Sequence, residues 1–216
     1  MQLPKSTEFN KRIPKQKFYE NLSINPEMKR LFVEEVAVIY WKYKIAATTI
    51  NVEEGKVVKE IEVFHIRLNQ KGLNPKVMQL IDREIPYHIL FLLEYEEQFQ
   101  IWIGYKEKSL SNTSSNFKLN TYYHTEWQPL ERIELKIDGL NMDAIYENFI
   151  RQIAGDALAV TSEEDIKVSI ERDYKRRRIM KQIETLEKKI KKEKQFNIQV
   201  KLNTELKKLK KEMETF

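Results

Sequence analysis

The positive charge of this chain is concentrated at its C-terminal end. Residues 161–216 contain 17 Lys and Arg against 11 Asp and Glu, whereas residues 1–160 contain 21 against 22. The net charge of +5 therefore belongs to the last quarter of the chain. That segment has no Gly, Pro or Trp, so no strong helix breaker interrupts it. We predict a nearly neutral globular domain over residues 1–160 and a basic helical tail over residues 161–216.

The apolar residues of the tail recur at the spacing of a helix. They form two series with intervals of four and three residues: Ile179, Ile183, Leu186 and Ile190, then Leu202, Leu206, Leu209, Met213 and Phe216. Such intervals are typical of a coiled-coil seam. The two series are out of phase, because continuing the first would place Glu193 and Asn197 on the seam. The tail is therefore either one long helix with a stutter or a helical hairpin that folds back near Gln195 to Gln199. A dimeric coiled coil is a third arrangement.

The composition excludes several kinds of chemistry. With no Cys and three His, the chain has no disulfide, no thiolate nucleophile and little material for a zinc site. We expect no metal and no cofactor. No apolar run approaches the length of about 20 residues that a membrane span needs, and the polar, Lys-rich start lacks the features of a secretory signal. We expect a cytoplasmic protein that does not enter a membrane.

The first 160 residues predict an α+β fold. The segment up to Asn25 is polar and contains Pro4 and Pro14, which indicates an extended arm with at most a short helix near Gln16 to Asn21. We predict a mainly antiparallel sheet of four or five strands with two or three packing helices. The strands cover Val36–Trp41, Val57–Leu68, Tyr87–Tyr95, Phe99–Tyr105 and Phe117–Trp127, and the helices Pro26–Glu35, Gly72–Ile85 and Met142–Ala154. The Asp82-Arg83-Glu84 run is interpreted as the solvated face of the second of these helices.

The aromatic and polar run Tyr122–Trp127 resembles a binding surface. Alternation along a strand places His124 and Glu126 on the same face, where they could act as an acid/base pair. The alternative is an ordinary polar exterior over a buried opposite face.

An acidic-x-Lys element occurs at Glu134-Leu135-Lys136. In metal-dependent nucleases carboxylates hold Mg²⁺ and a lysine assists the attacking water. Glu134 and Lys136, or Glu60 and Glu62 on the predicted central strand, are the candidates for that chemistry. The alternative is chance, because 33% of the residues are charged.

The cations of the tail are candidates for contact with nucleic-acid phosphates. The alternative is a solvated helix in which Glu184 pairs with Lys188 and Glu187 with Lys191, four residues apart. The predicted nucleic-acid-binding residues are Lys175, Arg176, Arg177, Arg178, Lys188, Lys189, Lys191 and Lys192.

Several short segments carry a family resemblance. They are Pro4–Glu8, Ile61–Phe64, Ile81-Asp82 with Ile85–Phe91, Tyr122–Trp127 and Glu193–Asn197. Together they resemble an uncharacterised prokaryotic domain family of unknown function, over nearly the whole chain. The resemblance implies genes that lie beside those of helicases and DNA methyltransferases in restriction-like or antiphage loci. It therefore implies an accessory subunit and assigns no catalytic residue.

Our first hypothesis is a noncatalytic accessory or interaction protein in a bacterial DNA-processing or antiphage defence complex. The basic tail would mediate assembly or touch nucleic acid without sequence preference. We expect a protein partner, with a helicase or methyltransferase subunit as the candidate, and nucleic acid as a second class of partner. The alternatives are a metal-dependent nuclease-like enzyme and a homodimer held by the tail.

Overall fold

The computed structural model describes residues 3–21, 24–108, 117–158 and 165–215. By its internal contacts the chain forms two compact units, Met1–Gly155 and Asp156–Phe216. The first holds a β-sheet with helices, and the second holds two long helices.

The first unit is built on a six-stranded sheet whose strands neighbour one another in chain order. Every neighbouring pair is antiparallel except the third and fourth strands, which are parallel. The predicted α+β class with a mainly antiparallel sheet is therefore confirmed. The strands are β1 (Glu8–Ile13), β2 (Val36–Ala46), β3 (Glu60–Leu68), β4 (His88–Tyr95), β5 (Gln98–Lys108) and β6 (Phe117–His124).

The strand number is larger than the predicted four or five, because the N-terminal arm contributes β1. This strand pairs with β2, with Ile13 opposite Ile39 and Glu8 opposite Tyr43. A register shift between Glu8 and Lys11 accompanies a positive φ of 50° at Asn10. None of its side chains is fully buried, so an edge strand of this kind lacks the apolar alternation by which strands are recognised.

The helices of the first unit begin and end at strong capping signals. The side chain of Asn25 accepts a hydrogen bond from Met28 N at the start of helix α2 (Pro26–Glu35), and that of Asn141 accepts from Ala144 N at the start of helix α5 (Met142–Ala154). Gly155 follows α5 with φ of 51°, a conformation that favours glycine. The helices are α1 (Lys15–Asn21), α2 (Pro26–Glu35), the single turn α3 (Ala47–Ile50), α4 (Pro75–Glu84) and α5 (Met142–Ala154).

The core lies on both faces of the sheet. One face carries α4, because Val77, Met78 and Ile81 are buried in a cluster with Phe64 and Phe91 of the central strands. Side chains alternate along a strand, so His88 lies on the opposite face from Ile89. On that second face α5 packs, with its Tyr146 ring 4.3 Å from the ring of His88. Helix α4 also makes the crossover that lets β3 and β4 run parallel.

The second unit contains α6 (Ile166–Lys192) and α7 (Phe196–Met213). The break falls at Glu193 to Gln195, just before the predicted turn at Gln195 to Gln199. Lys210 Nζ of α7 lies 2.8 Å from a carboxylate oxygen of Glu187 in α6, so the chain returns along itself as a helix pair. Coiled-coil packing of this pair stays a prediction. In the described parts of the chain, no helix is both long and apolar enough to cross a membrane.

Candidate functional site

The predicted nucleic-acid-binding residues lie on α6, in its middle and in its last two turns. Over residues 165–215 the helix pair carries 17 Lys and Arg against nine Asp and Glu. Lys189, Lys191 and Lys192 occupy the last turn of α6, where cations also stabilise the negative end of the helix dipole. Part of this charge therefore has a structural reason.

Two of the four cations in the central run are held by one acid. Asp173 is 3% exposed. Its two carboxylate oxygens lie 3.1 Å from Arg176 Nη2 and 2.7 Å from Arg177 Nε. Arg176 also approaches the carbonyl oxygen of Ala157, at 3.5 Å. These two arginines neutralise a buried carboxylate, which leaves Lys175 and Arg178 as the exposed cations of the run that Asp173 does not engage.

Glu184 and Glu187 of α6 do not form the predicted pairs at four-residue spacing. The close partner of Glu187 is Lys210 of α7, at 2.8 Å, rather than Lys191. Lys210, with a weaker attraction from Lys191, lowers the pKa of Glu187. In this described helix, Glu184 and Lys188 do not come within ion-pair distance. The ion pair of Glu187 therefore joins the two helices.

A groove lies between the two helices. It has a volume of about 490 Å³. Leu186, which is 7% exposed, and Leu209 provide apolar surface, while Glu205 contributes one acid. The polar lining from α6 consists of Arg178, Lys181, Gln182, Thr185 and Lys189. Sequence reasoning named Arg178 and Lys189 but missed Lys181. The spacing of residues 178, 181, 185 and 189, which follows one helix face, was the available signal.

His124 and Glu126 are both exposed. The ring of His124 contacts Trp102, Gln100 and Thr125. Its ring stacks on Trp102 with centroids 4.2 Å apart. Its Nδ1 atom lies 3.2 Å from Gln100 Nε2 and 3.0 Å from the carbonyl oxygen of Thr125. Gln100, 6% exposed, also accepts a hydrogen bond from Trp102 Nε1 at 2.7 Å. The buried side-chain amide of Gln100 therefore fixes the rings of both His124 and Trp102. These contacts, rather than a pairing with Glu126, orient His124.

Glu134 and Lys136 lie on the exposed side of an extended segment after β6, where they alternate with the buried residues Ile133 and Leu135. Gln152 of α5 holds that segment, because its amide accepts from Lys136 N at 2.8 Å and donates to Lys136 O at 2.9 Å. Both candidates line an open cleft of about 580 Å³ with Asp138 and Arg151. Among the described residues, no group of three or more His, Asp or Glu is placed to hold a metal ion.

Glu60 and Glu62 stand two residues apart on one face of β3. Glu62 is 1% exposed and accepts a hydrogen bond from Trp41 Nε1 at 2.7 Å. Lys44 pairs with Glu60 at 2.9 Å. Burial, and next the hydrogen bond to Glu60, raise the pKa of Glu62 to about 8. Near neutral pH this buried carboxyl holds a proton, which makes it a poor ligand for a metal ion.

The strongest polar cluster of the sheet domain was not predicted. Asp82 of α4 is 5% exposed, so its interpretation as part of a solvated face was wrong, although Arg83 and Glu84 are exposed. Lys106 Nζ lies 2.8 Å from Asp82 Oδ1 and donates to the carbonyl oxygens of Asp82 and Tyr87 at 2.9 and 2.7 Å. The Tyr122 hydroxyl donates to Asp82 Oδ2 at 2.5 Å. This cluster joins α4, β5 and β6.

A second buried group adjoins this cluster through β5. The Tyr146 hydroxyl donates to Gly104 O and accepts from Lys106 N, the latter at 3.1 Å. Beside it, burial and then the charge of Lys106 lower the pKa of His88 to about 3. A cavity of about 230 Å³ is lined by His88, Lys106 and Tyr146 together with Asp143. The Lys106 ammonium group, however, is engaged by Asp82 and two carbonyl groups. The contacts beside this cavity therefore hold elements of the fold together.

These features define an α+β protein with a six-stranded sheet, a closed polar cluster inside it and a separate basic helix pair. The chain belongs to the family described as Domain of unknown function (DUF4391), whose model matches residues 1–213. No curated protein matches the chain, and no solved structure does. The resemblance to an uncharacterised family is thus confirmed, while the association with helicase and methyltransferase genes stays a prediction.

Proposed function

We propose that this protein is a noncatalytic accessory protein whose α6–α7 helix pair contacts the phosphate backbone of nucleic acid. The observation that carries the proposal is the charge surplus of the pair, 17 cations against nine acids over residues 165–215. Clustered cations release condensed counterions from nucleic acid, and this gain does not depend on sequence. The sheet domain would then be the part that docks on a protein partner in a DNA-processing or defence complex.

The distribution of ion pairs supports this proposal. Arg176 and Arg177 are engaged by the buried Asp173, and Lys210 by Glu187. Lys175, Arg178 and the four lysines at the end of α6 remain exposed. Exposed lysines on one segment repel one another at low salt, and a polyanion relieves that repulsion.

The experiment is a salt series of binding to single-stranded and double-stranded DNA and RNA with the full chain. We expect binding that weakens steeply between about 50 and 200 mM salt. Neutralising four tail lysines should reduce both the affinity and the salt dependence. The tail variant changes Lys188, Lys189, Lys191 and Lys192 to Gln.

A matched variant controls for overall charge. It also removes four positive charges, all of them from exposed residues of the sheet domain: Lys5, Lys56, Lys71 and Lys136 to Gln. We expect it to retain most of the affinity. Equal losses in the two variants, or no binding by the unmodified chain at low salt, would refute the proposal. A loss confined to the sheet-domain variant would also refute the proposal, because it would place the interface on the sheet domain.

Self-assembly through α7 is the second candidate function. Phe196 and Val200, one turn apart on the same face of α7, are 76% and 49% exposed, and no residue of α7 is fully buried. Neighbouring exposed apolar side chains are typical of an interaction surface. A second copy of the chain is the occupant that this candidate requires. Sedimentation equilibrium tests it, with a dimer that dissociates in a Phe196→Ser, Val200→Ser variant as the expected result and a monomer as the contrary one.

A further inference from the structure

We infer that the groove between α6 and α7 is a binding site for single-stranded nucleic acid. This inference rests on the proposed function and assigns it a place and a form of ligand. The three groove cations Arg178, Lys181 and Lys189 would contact phosphates. The half-buried side chain of Leu209, with the small exposed edge of Leu186, would lie under sugars and bases.

The positions of the cations favour a linear polyanion. Helical geometry of about 100° per residue places residues 178, 181, 185 and 189 within one narrow face of α6. From Arg178 to Lys189 the helix rises about 16 Å, so the three cations form a row along the axis of α6. Thr185, between the cations, has its hydroxyl engaged with Lys181 O at 2.7 Å. The ligand contacts on this face would therefore come mainly from the three cations.

The mixed character of the groove favours a single strand over a duplex. A duplex presents phosphates at its surface and keeps its base faces stacked inside, so it would leave the apolar surface of the groove uncovered. A single strand exposes both phosphates and base faces, and proteins that bind it combine a cationic groove with surface for the bases. The groove volume of about 490 Å³ lies within the range of small-ligand sites, about 300 to 1,000 Å³.

The experiment compares two triple variants of the full chain with equal loss of charge. The groove variant changes Arg178, Lys181 and Lys189 to Gln. The control variant changes Lys194, Lys207 and Lys211 to Gln. Lys207 and Lys211 are each two positions from Leu209 and so lie about 200° away around α7. Lys194 lies in the break between the two helices and does not line the groove. All six residues are exposed, so we expect both variants to fold, with the helical circular dichroism signal as the check.

The probes are a labelled oligothymidylate of about 20 nucleotides and a duplex of the same length. For the single strand we expect the groove variant to lose about tenfold or more in affinity and about 2 units of salt slope, since each phosphate contact contributes about 0.7. The control variant should lose less than about threefold, with an unchanged slope. The single variants Lys181→Glu and Lys207→Glu should show the same contrast if either triple variant fails to fold.

The remaining outcomes separate the groove from the proposed function. Equal losses in the two triple variants would overturn the groove and leave the helix pair as a diffuse cationic surface. Tighter binding of the duplex than of the single strand would overturn the single-strand assignment. Equally tight binding of polyglutamate would point to an acidic protein instead of nucleic acid. Absence of binding by the unmodified chain would refute the proposed function itself.

Discussion

Lys106 of β5 and Asp82 of α4 form an ion pair inside the sheet domain, with Nζ 2.8 Å from Oδ1 and side-chain exposures of 2% and 1%. Three oxygens surround the ammonium group, and Tyr122 donates to the other carboxylate oxygen. A buried pair of this kind is costly to form, but breaking it by removing one partner is costlier still. The pair therefore fixes how α4 lies against β5 and β6.

We predict that Lys106→Met lowers the free energy of unfolding by about 3 to 5 kcal/mol, because Asp82 is left buried without its cation. Burial already raises the pKa of Asp82, and Lys106 opposes that rise. Without Lys106 the pKa of Asp82 in the folded state rises further above its value in the unfolded state. The loss in the free energy of unfolding should therefore be smaller at pH 5 than at pH 8. Urea unfolding at the two pH values measures this.

The double variant Lys106→Met, Asp82→Asn is the control, because it removes the unpaired charge and keeps an acceptor for Tyr122. It should be more stable than Lys106→Met alone at pH 8. If the two variants are equally stable at both pH values, the pair contributes through packing rather than charge.

Much of the fold of the sheet domain was predictable from local signals. The helices Pro26–Glu35 and Met142–Ala154 begin and end as predicted, because Asn25, Asn141 and Gly155 are strong capping residues. Strand β1 was missed because an edge strand buries little. Strand β2 continues to Ala46, past Lys42 and Lys44, since a register shift between Trp41 and Tyr43 and the pairing with Glu60 accommodate these lysines.

The polar cluster was less predictable than the basic surface. Arg178 and Lys189 could be named because cations at helical spacing are visible in the sequence. Asp82 and Lys106, by contrast, are 24 residues apart on different elements, and each looks like an ordinary surface residue by itself. Only the packing of α4 on the sheet brings them together, and only burial makes their charges important.

The raised pKa of Glu62 predicts that the free energy of unfolding falls as the pH rises. Its folded-state pKa of about 8 lies above the unfolded value of about 4.3, so the folded state binds the proton more tightly. This contribution is fully present below about pH 4.3 and is lost as the pH rises toward 8. We expect Glu62→Gln, which keeps an acceptor for Trp41, to flatten the dependence of unfolding free energy on pH between 5 and 8.

The matched control for Glu62 is Glu54→Gln, a more exposed glutamate that pairs with Lys59 at 3.3 Å. This variant should keep the pH dependence of the unmodified chain, because an exposed pair has little energy to contribute. A Glu62→Gln profile parallel to that of the unmodified chain would show that Glu62 is ionised in the folded protein.

The lowered pKa of His88 predicts the opposite pH dependence in a lower range: the free energy of unfolding falls as the pH falls. Its folded-state pKa of about 3 lies below the unfolded value of about 6.5, so the unfolded state binds the proton more tightly. Stability is therefore lost as the pH falls from about 6.5 toward 3. We expect His88→Phe, which retains a ring against Tyr146, to reduce the slope of unfolding free energy with pH in this window.

The slope is the measured quantity for His88, because a change in packing would shift the whole curve without altering its slope. The control is His124→Phe, at an exposed histidine that stacks on Trp102. This variant should show the same slope as the unmodified chain. A steeper slope in His88→Phe would mean that the histidine is charged in the folded state.

The turn between β4 and β5 carries backbone strain that substitution should relieve. Glu96 and Glu97 have φ of 46° and 62°, as a two-residue type I′ hairpin turn requires, and Asn-Gly is the pair that adopts it most readily. We predict that Glu96→Asn, Glu97→Gly raises the free energy of unfolding by about 1 kcal/mol. The double substitution Glu96→Gln, Glu97→Gln removes the same charges but keeps side chains at both positive-φ positions, so it should leave stability nearly unchanged. If the Gln pair stabilises the protein as much as the Asn-Gly pair, repulsion between adjacent carboxylates, rather than backbone conformation, limits the stability of this turn.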